Sequence, residues 1–312
     1  MKLNVVIPLY NEENNIIPLY DALTKSLKGI KYTLIFVDDG SIDKSLDKLT
    51  KIYNKNKQNI KVIGFSRNFG KEAAMFAGLK ASHAEYTCII DADLQQNPKY
   101  IVDMLKFLED NPSYDEVAMV NDYSKEKRSQ RFLKKAFYKV MSKASGQKTI
   151  AGASDFRLMR ECVVDALISL EESNRFSKGL FAWVGFNTFY MTYAADKRHS
   201  GVSKFKLKKQ FNYAKDGLFS FSTKPLKIAT ILGSIISFIS FLYFMEILLQ
   251  TIISGKDIPG YASIMCVILI LGGIQLIVLG IIGEYIAKSY LEIKRRPIYV
   301  AKTKLGFDED IL

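Results

Sequence analysis

Residues 88–98 read Cys-Ile-Ile-Asp-Ala-Asp-Leu-Gln-Gln-Asn-Pro, and this stretch decides the predicted fold. The apolar run that ends at Ile90 predicts a buried strand, and the closing proline can open a helix. Asp91 and Asp93 are expected on one face of an extended segment, at the strand end where α/β sheets place ligands. One carboxylate could hold a ribose hydroxyl and the other a hard cation, with Gln95 as a further oxygen ligand. Solvated turn aspartates are the alternative interpretation.

The first 120 residues alternate between predicted strands and predicted helices. Strands are expected at residues 3–7, 32–37, 61–65, 86–90 and 117–120. Helices are expected at about 14–27, 41–56 and 72–81, whereas residues 150–196 show a less regular pattern with a helix near 162–170. Such alternation is typical of a parallel sheet with crossover helices. The predicted class is therefore α/β, with polar or acidic side chains after three of the first four strands.

Composition narrows the class of protein. The 312 residues suffice for about two domains, and the net charge of +12 favours an anionic partner. Many lysines lie near apolar segments, which favours a membrane surface, and no nucleic-acid partner is expected. Three widely spaced cysteines show no metal or disulfide spacing, so a reducing compartment is expected. Lys2 leads directly into an apolar strand, so no signal peptide is expected.

Two long apolar segments predict a transmembrane hairpin. Residues 228–249 contain one charge and residues 262–283 contain none, and each reaches the roughly 20 residues that a bilayer core requires. Basic residues flank the pair, so the positive-inside rule places the N-terminal domain and both termini in the cytoplasm. Four glycines allow close helix contact within the hairpin or between protomers, which leaves a homo-oligomer open: Gly272, Gly273, Gly280 and Gly283.

The predicted organisation has four parts. A cytosolic domain occupies residues 1–202, and a transmembrane hairpin occupies residues 226–287, with helices at about 227–250 and 261–286. Residues 203–225 mix aromatic residues with lysines, which suits a helix lying in the membrane interface, although an ordinary amphipathic surface helix is the alternative. Residues 288–312 are expected to form a basic cytosolic tail.

The N-terminal domain carries four segments that resemble one family: VVIPLYNEE at Val5–Glu13, VDDGS at Val37–Ser41, SRNFGKE at Ser66–Glu72 and DADLQ at Asp91–Gln95. The chain is similar to family 2 glycosyltransferases of the GT-A fold. Within that family it resembles the polyprenyl-phosphate hexosyltransferases, of the dolichol-phosphate mannose synthase and bactoprenol glucosyltransferase type. The resemblance covers about residues 3–300 and implies a Rossmann-like catalytic domain on a two-helix membrane hairpin.

The resemblance implies a role for several side chains. The nucleotide sugar would be bound by Pro8, Tyr10, Glu12, Asp38 and Asp91. Mg²⁺ or Mn²⁺ would be held by Asp93, Gln95 and Asp91, and would neutralise the departing diphosphate. The acceptor phosphate would be bound by Arg131, Lys135, Arg198 and Lys204. The implied catalytic residues are Asp93, Asp155 and Arg198, with Asp155 orienting the donor or a cationic side chain. Asn121 stands where dolichol-phosphate mannose synthases commonly carry an arginine.

The implied function is the transfer of one sugar, with inversion, from a nucleotide sugar to undecaprenyl or another polyprenyl phosphate, for cell-envelope glycosylation. UDP-glucose is the expected donor, and UDP-GlcNAc, GDP-mannose and an aminoarabinose nucleotide are the alternatives. The chain lacks the Gln-x-x-Arg-Trp motif of processive synthases, so one sugar per acceptor is expected. Two other functions are weighed against this one: a phosphohydrolase that uses paired aspartates, which Leu94 and Gln95 oppose, and a membrane scaffold that binds nucleotide without catalysis.

Overall fold

The computed structural model describes residues 2–121, 153–193, 224–254 and 260–307. The chain divides into two compact units. One unit spans Met1–Gly217 and Arg296–Leu312, and the other spans Leu218–Arg295. The first unit is an α/β domain, and the described part of the second consists of two long helices.

The α/β domain alternates strands and helices along its first half. Its first five strands are β1 (Leu3–Leu9), β2 (Tyr32–Asp38), β3 (Ile60–Phe65), β4 (Tyr86–Ile89) and β5 (Glu116–Asn121). The helices between them are α1 (Ile16–Ser26), α2 (Ser45–Lys55), α3 (Lys71–Lys80) and α4 (Lys99–Asp110). The later elements are β6 (Ala153–Arg160), α5 (Glu161–Ile168), α6 (Ser177–Trp183), β7 (Thr188–Tyr193) and β8 (Ala301–Leu305).

The strands of the described residues form one sheet in the order β7-β5-β6-β4-β1-β2-β3-β8. Strands β4, β1, β2 and β3 run parallel to one another, and β7 runs parallel to β5. Strand β6 is antiparallel to both of its neighbours, and β8 is antiparallel to β3. The predicted α/β class with a mostly parallel sheet is therefore confirmed. The carboxyl ends of β1 to β4 meet at one edge, where the acidic loops lie.

The core explains why β1 stands at the centre of the parallel strands. Every residue of Leu3–Leu9 is buried, as expected for a strand that helices cover on both faces. Helix α3 packs so closely on this strand that a Cβ on Gly78 would lie 2.2 Å from Val6 Cγ1. The small residue at this position therefore lets α3 approach the sheet, and α3 carries a site residue at its first position.

Three strands lie where the sequence predicts none: β6, β7 and β8. Strand β6 carries two arginines and an aspartate, so its composition does not indicate a buried strand. Strand β8 is short, exposes Lys302 and Lys304, and lies at the edge of the sheet, where lysines are common because they oppose edge-to-edge pairing. It lies within the segment expected to be a basic tail, and it pairs with β3 through Val62 and Leu305.

The second unit contains α7 (Lys224–Ser254) and α8 (Tyr261–Ile293). By length and composition, each includes a stretch that could cross a membrane: Ala229–Ile247 in α7 and Ile270–Ile293 in α8. Both stretches are uncovered by the rest of the described chain. Both helices extend beyond the bounds predicted from the sequence, α8 by about two turns at its C-terminal end.

Candidate active site

The loops that follow β1 and β2 are joined by hydrogen bonds. The Asn11 N–H donates to Ser41 Oγ at 2.8 Å, and the Ile42 N–H donates to Asn11 Oδ1 at 2.9 Å. Asn11 adopts a left-handed φ of 54°, which asparagine tolerates better than most residues. The Glu12 N–H donates to Ser45 Oγ at 3.1 Å. These contacts hold the two acidic loops in one arrangement at the carboxyl edge of the sheet.

The predicted nucleotide-binding residues of β1 lie in or beside this pair of loops. Pro8 is buried within β1, where it pairs in register with Val37, and Tyr10 is half-buried just after the strand. The Glu12 carboxylate accepts a hydrogen bond from Asn15 Nδ2 at 2.6 Å. The structure therefore places all three residues at the expected edge, and it ties Glu12 to the start of α1.

Asp38 ends β2 and is almost fully buried. Burial raises the pKa of its carboxyl group, and hydrogen bonds from the Ser41 hydroxyl and N–H act in the opposite direction. A buried carboxylate at a strand end is well placed to accept hydrogen bonds from a ligand in addition to those from Ser41.

Asp39 fixes the neighbouring loop. Its carboxylate accepts hydrogen bonds from the N–H groups of Phe69, at 2.7 Å, and Gly70, at 2.9 Å. Burial raises the pKa of this carboxyl group, and these two hydrogen bonds oppose the shift. Gly40 has a φ of +67°, and a Cβ there would lie 2.4 Å from the carbonyl carbon of Arg67. The turn after β2 thus lies directly against the loop that leads into α3.

Lys71, the first residue of α3, joins two carboxylates. Its Nζ lies 2.6 Å from Asp91 Oδ1 and 2.8 Å from Asp155 Oδ2. The three side chains come from α3, from the turn after β4 and from β6, which are distant in the sequence. The Asp155 side chain is only 14% exposed, and its Oδ1 is buried with no hydrogen-bond partner among the described residues.

The charges of this cluster stabilise one another. Burial acts to lower the pKa of Lys71, but the charges of Asp155 and Asp91 outweigh it, and the net pKa is raised. Burial acts to raise the pKa of Asp155, but Lys71, followed by Lys178 and Arg157, outweighs it and lowers the pKa. Lys71 and Asp155 are therefore both charged at neutral pH.

The segment after β4 is a turn, so the expectation that Asp91 and Asp93 share one face of an extended strand is wrong. Leu94 has a left-handed φ of 61°, and the Gln95 N–H donates to Asp93 Oδ1 at 3.1 Å. The Asp91 N–H donates to Gln96 Oε1 at 2.9 Å, while Gln96 Nε2 donates to Asp91 Oδ2 at 3.1 Å. Side-chain hydrogen bonds to nearby backbone groups replace the strand geometry here.

Lys71 brings Asp91 and Asp155 together, and Asp93 follows Asp91 by two residues. Tyr193 at the end of β7 is influenced by the charges of all three aspartates. Burial raises the pKa of its phenol, and the charges of Asp91, Asp93 and Asp155 add to the increase. A hydrogen bond with Ser154 acts in the opposite direction. The structure therefore brings the predicted donor, cation and catalytic aspartates to one place.

The donor atoms fit a hard divalent cation that a ligand helps to coordinate. Among the described residues, no three His, Cys, Asp or Glu side chains form a cluster that would hold a metal by themselves. Mg²⁺ usually binds through one or two carboxylates together with substrate phosphates rather than in an all-protein cage. The two aspartates of the turn after β4 supply oxygen ligands of that kind.

Several predicted site residues lie outside the described residues: Arg131, Lys135, Arg198 and Lys204. The same holds for nearly all of the amphipathic segment predicted at 203–225. The predicted contacts of these four residues with the acceptor phosphate stay predictions.

Sequence reasoning missed three members of the site: Lys71, Gln96 and Tyr193. Lys71 stood in the quoted SRNFGKE segment, but only its place at the start of a helix after a strand-end loop could have indicated a site residue. Gln96 is buried although polar, and the sequence carries no signal of that burial. Tyr193 ends a strand that the sequence pattern did not identify as part of the sheet.

An ion pair between Arg157 and Glu116 lies buried beneath the site. Arg157 Nη1 lies 3.1 Å from Glu116 Oε2, and the two side chains are 4% and 2% exposed. The Arg157 guanidinium also stacks over the Phe181 ring at 3.4 Å, and Thr188 Oγ1 donates to Glu116 Oε1 at 2.6 Å. These contacts fix β6 two residues beyond Asp155, so the ion pair supports the position of Asp155.

Replacing Arg157 with methionine is expected to lower the free energy of unfolding by about 3–5 kcal/mol, because Glu116 would stay buried without a countercharge. Denaturant unfolding of the chain in detergent micelles measures the change. Adding Glu116→Gln to Arg157→Met should restore most of the loss, whereas Lys80→Met, on an exposed part of α3, should change stability by no more than about 0.5 kcal/mol. A small effect of Arg157→Met alone would contradict the proposed support.

Comparison with known proteins decides the family. The model of Glycosyl transferase family 2 matches residues 4–167, and that of the GtrB C-terminal hairpin matches residues 224–289. The chain belongs to glycosyl transferase family 2. This family 2 glycosyltransferase is 44% identical over 312 residues to an uncharacterized glycosyltransferase of Synechocystis. The aligned region covers 99% of this chain and 97% of the relative. It is 37% identical over 306 residues to a bactoprenol glucosyl transferase of Shigella phage SfX, covering 97% of this chain and 100% of the relative.

Comparison with solved structures gives similarities at lower identity. The glucosyl-3-phosphoglycerate synthase of Mycobacterium tuberculosis is 17% identical, with a TM-score of 0.48, over 70% of this family 2 glycosyltransferase and 78% of that chain. A likeness of this degree carries no argument about substrates. The predicted family and the predicted glycosyltransferase activity are confirmed by the family models and the near full-length relatives.

Proposed function

We propose that the protein transfers one sugar from a nucleotide sugar to a polyprenyl phosphate, with inversion at the sugar carbon. The observation that carries this proposal is the similarity to a bactoprenol glucosyl transferase over nearly the full length of the chain. The two are 37% identical over 97% of this chain. A polyprenyl acceptor also suits a catalytic domain joined to two helices that are long and apolar enough to cross a membrane.

UDP-glucose is the proposed donor, because the relatives named for a substrate are glucosyl transferases. UDP-GlcNAc, GDP-mannose and an aminoarabinose nucleotide are the alternatives. The base and ribose would lie against the joined loops after β1 and β2, where Tyr10, Glu12 and the buried Asp38 meet. The diphosphate would lie towards the turn after β4, which carries Asp91 and Asp93.

A divalent cation, Mg²⁺ or Mn²⁺, would be held by Asp91, Asp93 and Gln95 and would neutralise charge on the departing diphosphate. The chain's own residues keep these oxygen ligands in place. Gln96 hydrogen-bonds both the backbone and the carboxylate of Asp91, and the Gln95 N–H fixes Asp93. The turn would therefore be held in shape by its own hydrogen bonds before the cation binds.

The acceptor phosphate would act as the nucleophile. Its second pKa is about 6, so it is largely dianionic at neutral pH and needs no strong general base. One phosphate oxygen would form the bond to the sugar carbon while the bond from that carbon to the diphosphate breaks, and the nucleoside diphosphate would leave. The proposed acceptor contacts are Arg131, Lys135, Arg198 and Lys204. Positioning and charge neutralisation then supply most of the rate.

The catalytic domain and both termini are proposed to lie on the cytoplasmic side of the bacterial inner membrane. The segments before and after the hairpin belong to the same compact unit, because β8 follows α8 and pairs with β3. Because a folded domain does not straddle a bilayer, this supports the proposal that the two outer ends of the hairpin emerge on one side. The lysines and arginines beyond both ends favour the cytoplasmic side.

The experiment that tests this function supplies the full chain in membranes with undecaprenyl phosphate and a panel of radiolabelled nucleotide sugars. We expect label to enter the lipid phase from one donor, with UDP-glucose the strongest. Membranes that lack the protein give the background. Absence of lipid-linked label from every donor would contradict the proposed function, whereas label from another donor would correct only the choice of sugar.

A further inference from the structure

Lys71 occupies an unusual place for a lysine on the surface of an α/β domain. Its ammonium group contacts Asp91, which belongs to the proposed cation site, and Asp155, which comes from a different strand. The two contacts, at 2.6 and 2.8 Å, place one positive charge between two negative ones. A divalent cation that binds Asp91 would have to compete with this ammonium group or share the carboxylate with it.

The backbone around Lys71 is fixed on both sides. The preceding residue, Gly70, has a φ of +103°, and its N–H donates to the Asp39 carboxylate. The following residue, Glu72, accepts hydrogen bonds from the Ser177 N–H, at 3.0 Å, and from the Ser177 hydroxyl. Because both neighbours are anchored, the first turn of α3 holds its position and aims the Lys71 side chain at the two aspartates.

We propose that Lys71 is a positioning residue that holds Asp91 and Asp155 together before the donor binds and competes with the divalent cation for Asp91. The inference rests on the proposed function, which supplies the cation and the nucleotide sugar. When the cation takes Asp91, the ammonium group gives up its contact with Asp91 and keeps its contact with Asp155. Lys71 thereby limits cation binding in the absence of the nucleotide.

The test measures Mn²⁺ binding to the purified full chain, without nucleotide, from the electron paramagnetic resonance signal of free Mn²⁺. Lys71→Met is expected to bind Mn²⁺ more tightly, on the order of tenfold. The substitution removes a unit positive charge within about 5 Å of the divalent ion, and the repulsion between them is large enough for this change even at the dielectric constant of water. Lys71→Arg, which keeps the charge, should bind as the unchanged chain does. Lys80→Met is the matched control, since it removes the same charge from the exposed end of the same helix.

The double variant Lys71→Met with Asp155→Asn covers the case in which Lys71→Met alone does not fold. It leaves no unpaired charge at Asp155 and still lacks the competitor for Asp91, so tighter Mn²⁺ binding is again expected. Equal or weaker binding than in the unchanged chain would overturn the role of Lys71.

Asp93→Asn separates that failure from a failure of the proposed function. If Asp93→Asn removes Mn²⁺ binding and Lys71→Met leaves it unchanged, the cation site stands and only the inference about Lys71 fails. If Asp93→Asn leaves Mn²⁺ binding intact, or if no variant binds Mn²⁺, the cation site of the proposed function fails and the inference fails with it.

Discussion

Replacing Asp93 with asparagine is expected to reduce sugar transfer at least about a thousandfold, which equals about 4 kcal/mol of activation free energy. The substitution removes a negative charge from the turn where the diphosphate and its cation are proposed to bind. Asparagine has nearly the same size and keeps the oxygen that accepts the Gln95 N–H at 3.1 Å, so the turn should retain its shape. The measurement is the initial rate of lipid-linked sugar formation with saturating donor.

The matched control for this change is Asp103→Asn. Asp103 lies on the exposed face of α4, one helix beyond the turn, and loses the same charge on substitution. We expect the transfer rate of Asp103→Asn to stay within about twofold of that of the unchanged chain, because the charge of an exposed side chain outside the site is largely screened by solvent and salt. Both variants should keep the thermal unfolding temperature of the unchanged chain. A rate for Asp93→Asn similar to that of Asp103→Asn would exclude the proposed cation site.

Asp155→Asn is expected to reduce transfer by about a hundredfold, the size typical of lost electrostatic positioning in a water-excluded site. Asp155 holds Lys71 at 2.8 Å, and its second oxygen is buried without a hydrogen-bond partner among the described residues. The substitution removes the negative charge that fixes the Lys71 ammonium group. The rate with saturating donor and acceptor measures the loss.

A double-mutant cycle shows whether Asp155 acts through Lys71. If it does, Asp155→Asn and Lys71→Met should not be additive, and the double variant should be about as slow as Asp155→Asn alone. If the losses multiply, the two residues act independently, and Asp155 has a separate contact with the donor. The cycle therefore shows whether Asp155 acts through Lys71, in addition to how much the loss of Asp155 slows transfer.

The parallel half of the domain could be predicted because its residues obey the local rules. Central strands such as β1 are buried on both faces and read as continuous apolar runs, and helices such as α1 bury residues at helical spacing. Both long helices of the hairpin contain an apolar stretch long enough to cross a membrane, and length and composition alone predict such stretches. In these regions, composition, periodicity and tertiary burial all agree.

The antiparallel half could not be predicted because its strands are stabilised by distant partners. Strand β6 places Arg157 in the interior, which is tolerable only because Glu116, 41 residues earlier, supplies a buried countercharge. Strand β8 is separated from its partner β3 by the whole membrane hairpin. No local pattern encodes either pairing, so a sequence reading that relies on local patterns leaves both segments irregular.

The site was predicted in part for the same reason. The position of the paired aspartates at a strand end could be predicted from the sequence. Their geometry could not, because Gln96 and the left-handed Leu94 form a turn in place of the expected extended segment. Lys71 becomes a site residue only when α3 and β6 are brought together. Asp155 was inferred from family resemblance, and the structure places the Lys71 ammonium group 2.8 Å from its Oδ2.

The central claim is that this site moves a single sugar onto the phosphate of a membrane lipid. Mass spectrometry of the lipid after incubation of the purified chain with undecaprenyl phosphate and the donor selected by the panel tests it most directly. We expect a lipid heavier by one sugar residue, linked through a single phosphate, with one nucleoside diphosphate released per product. A diphosphate-linked lipid with release of a nucleoside monophosphate, or free sugar with unchanged lipid, would contradict the account.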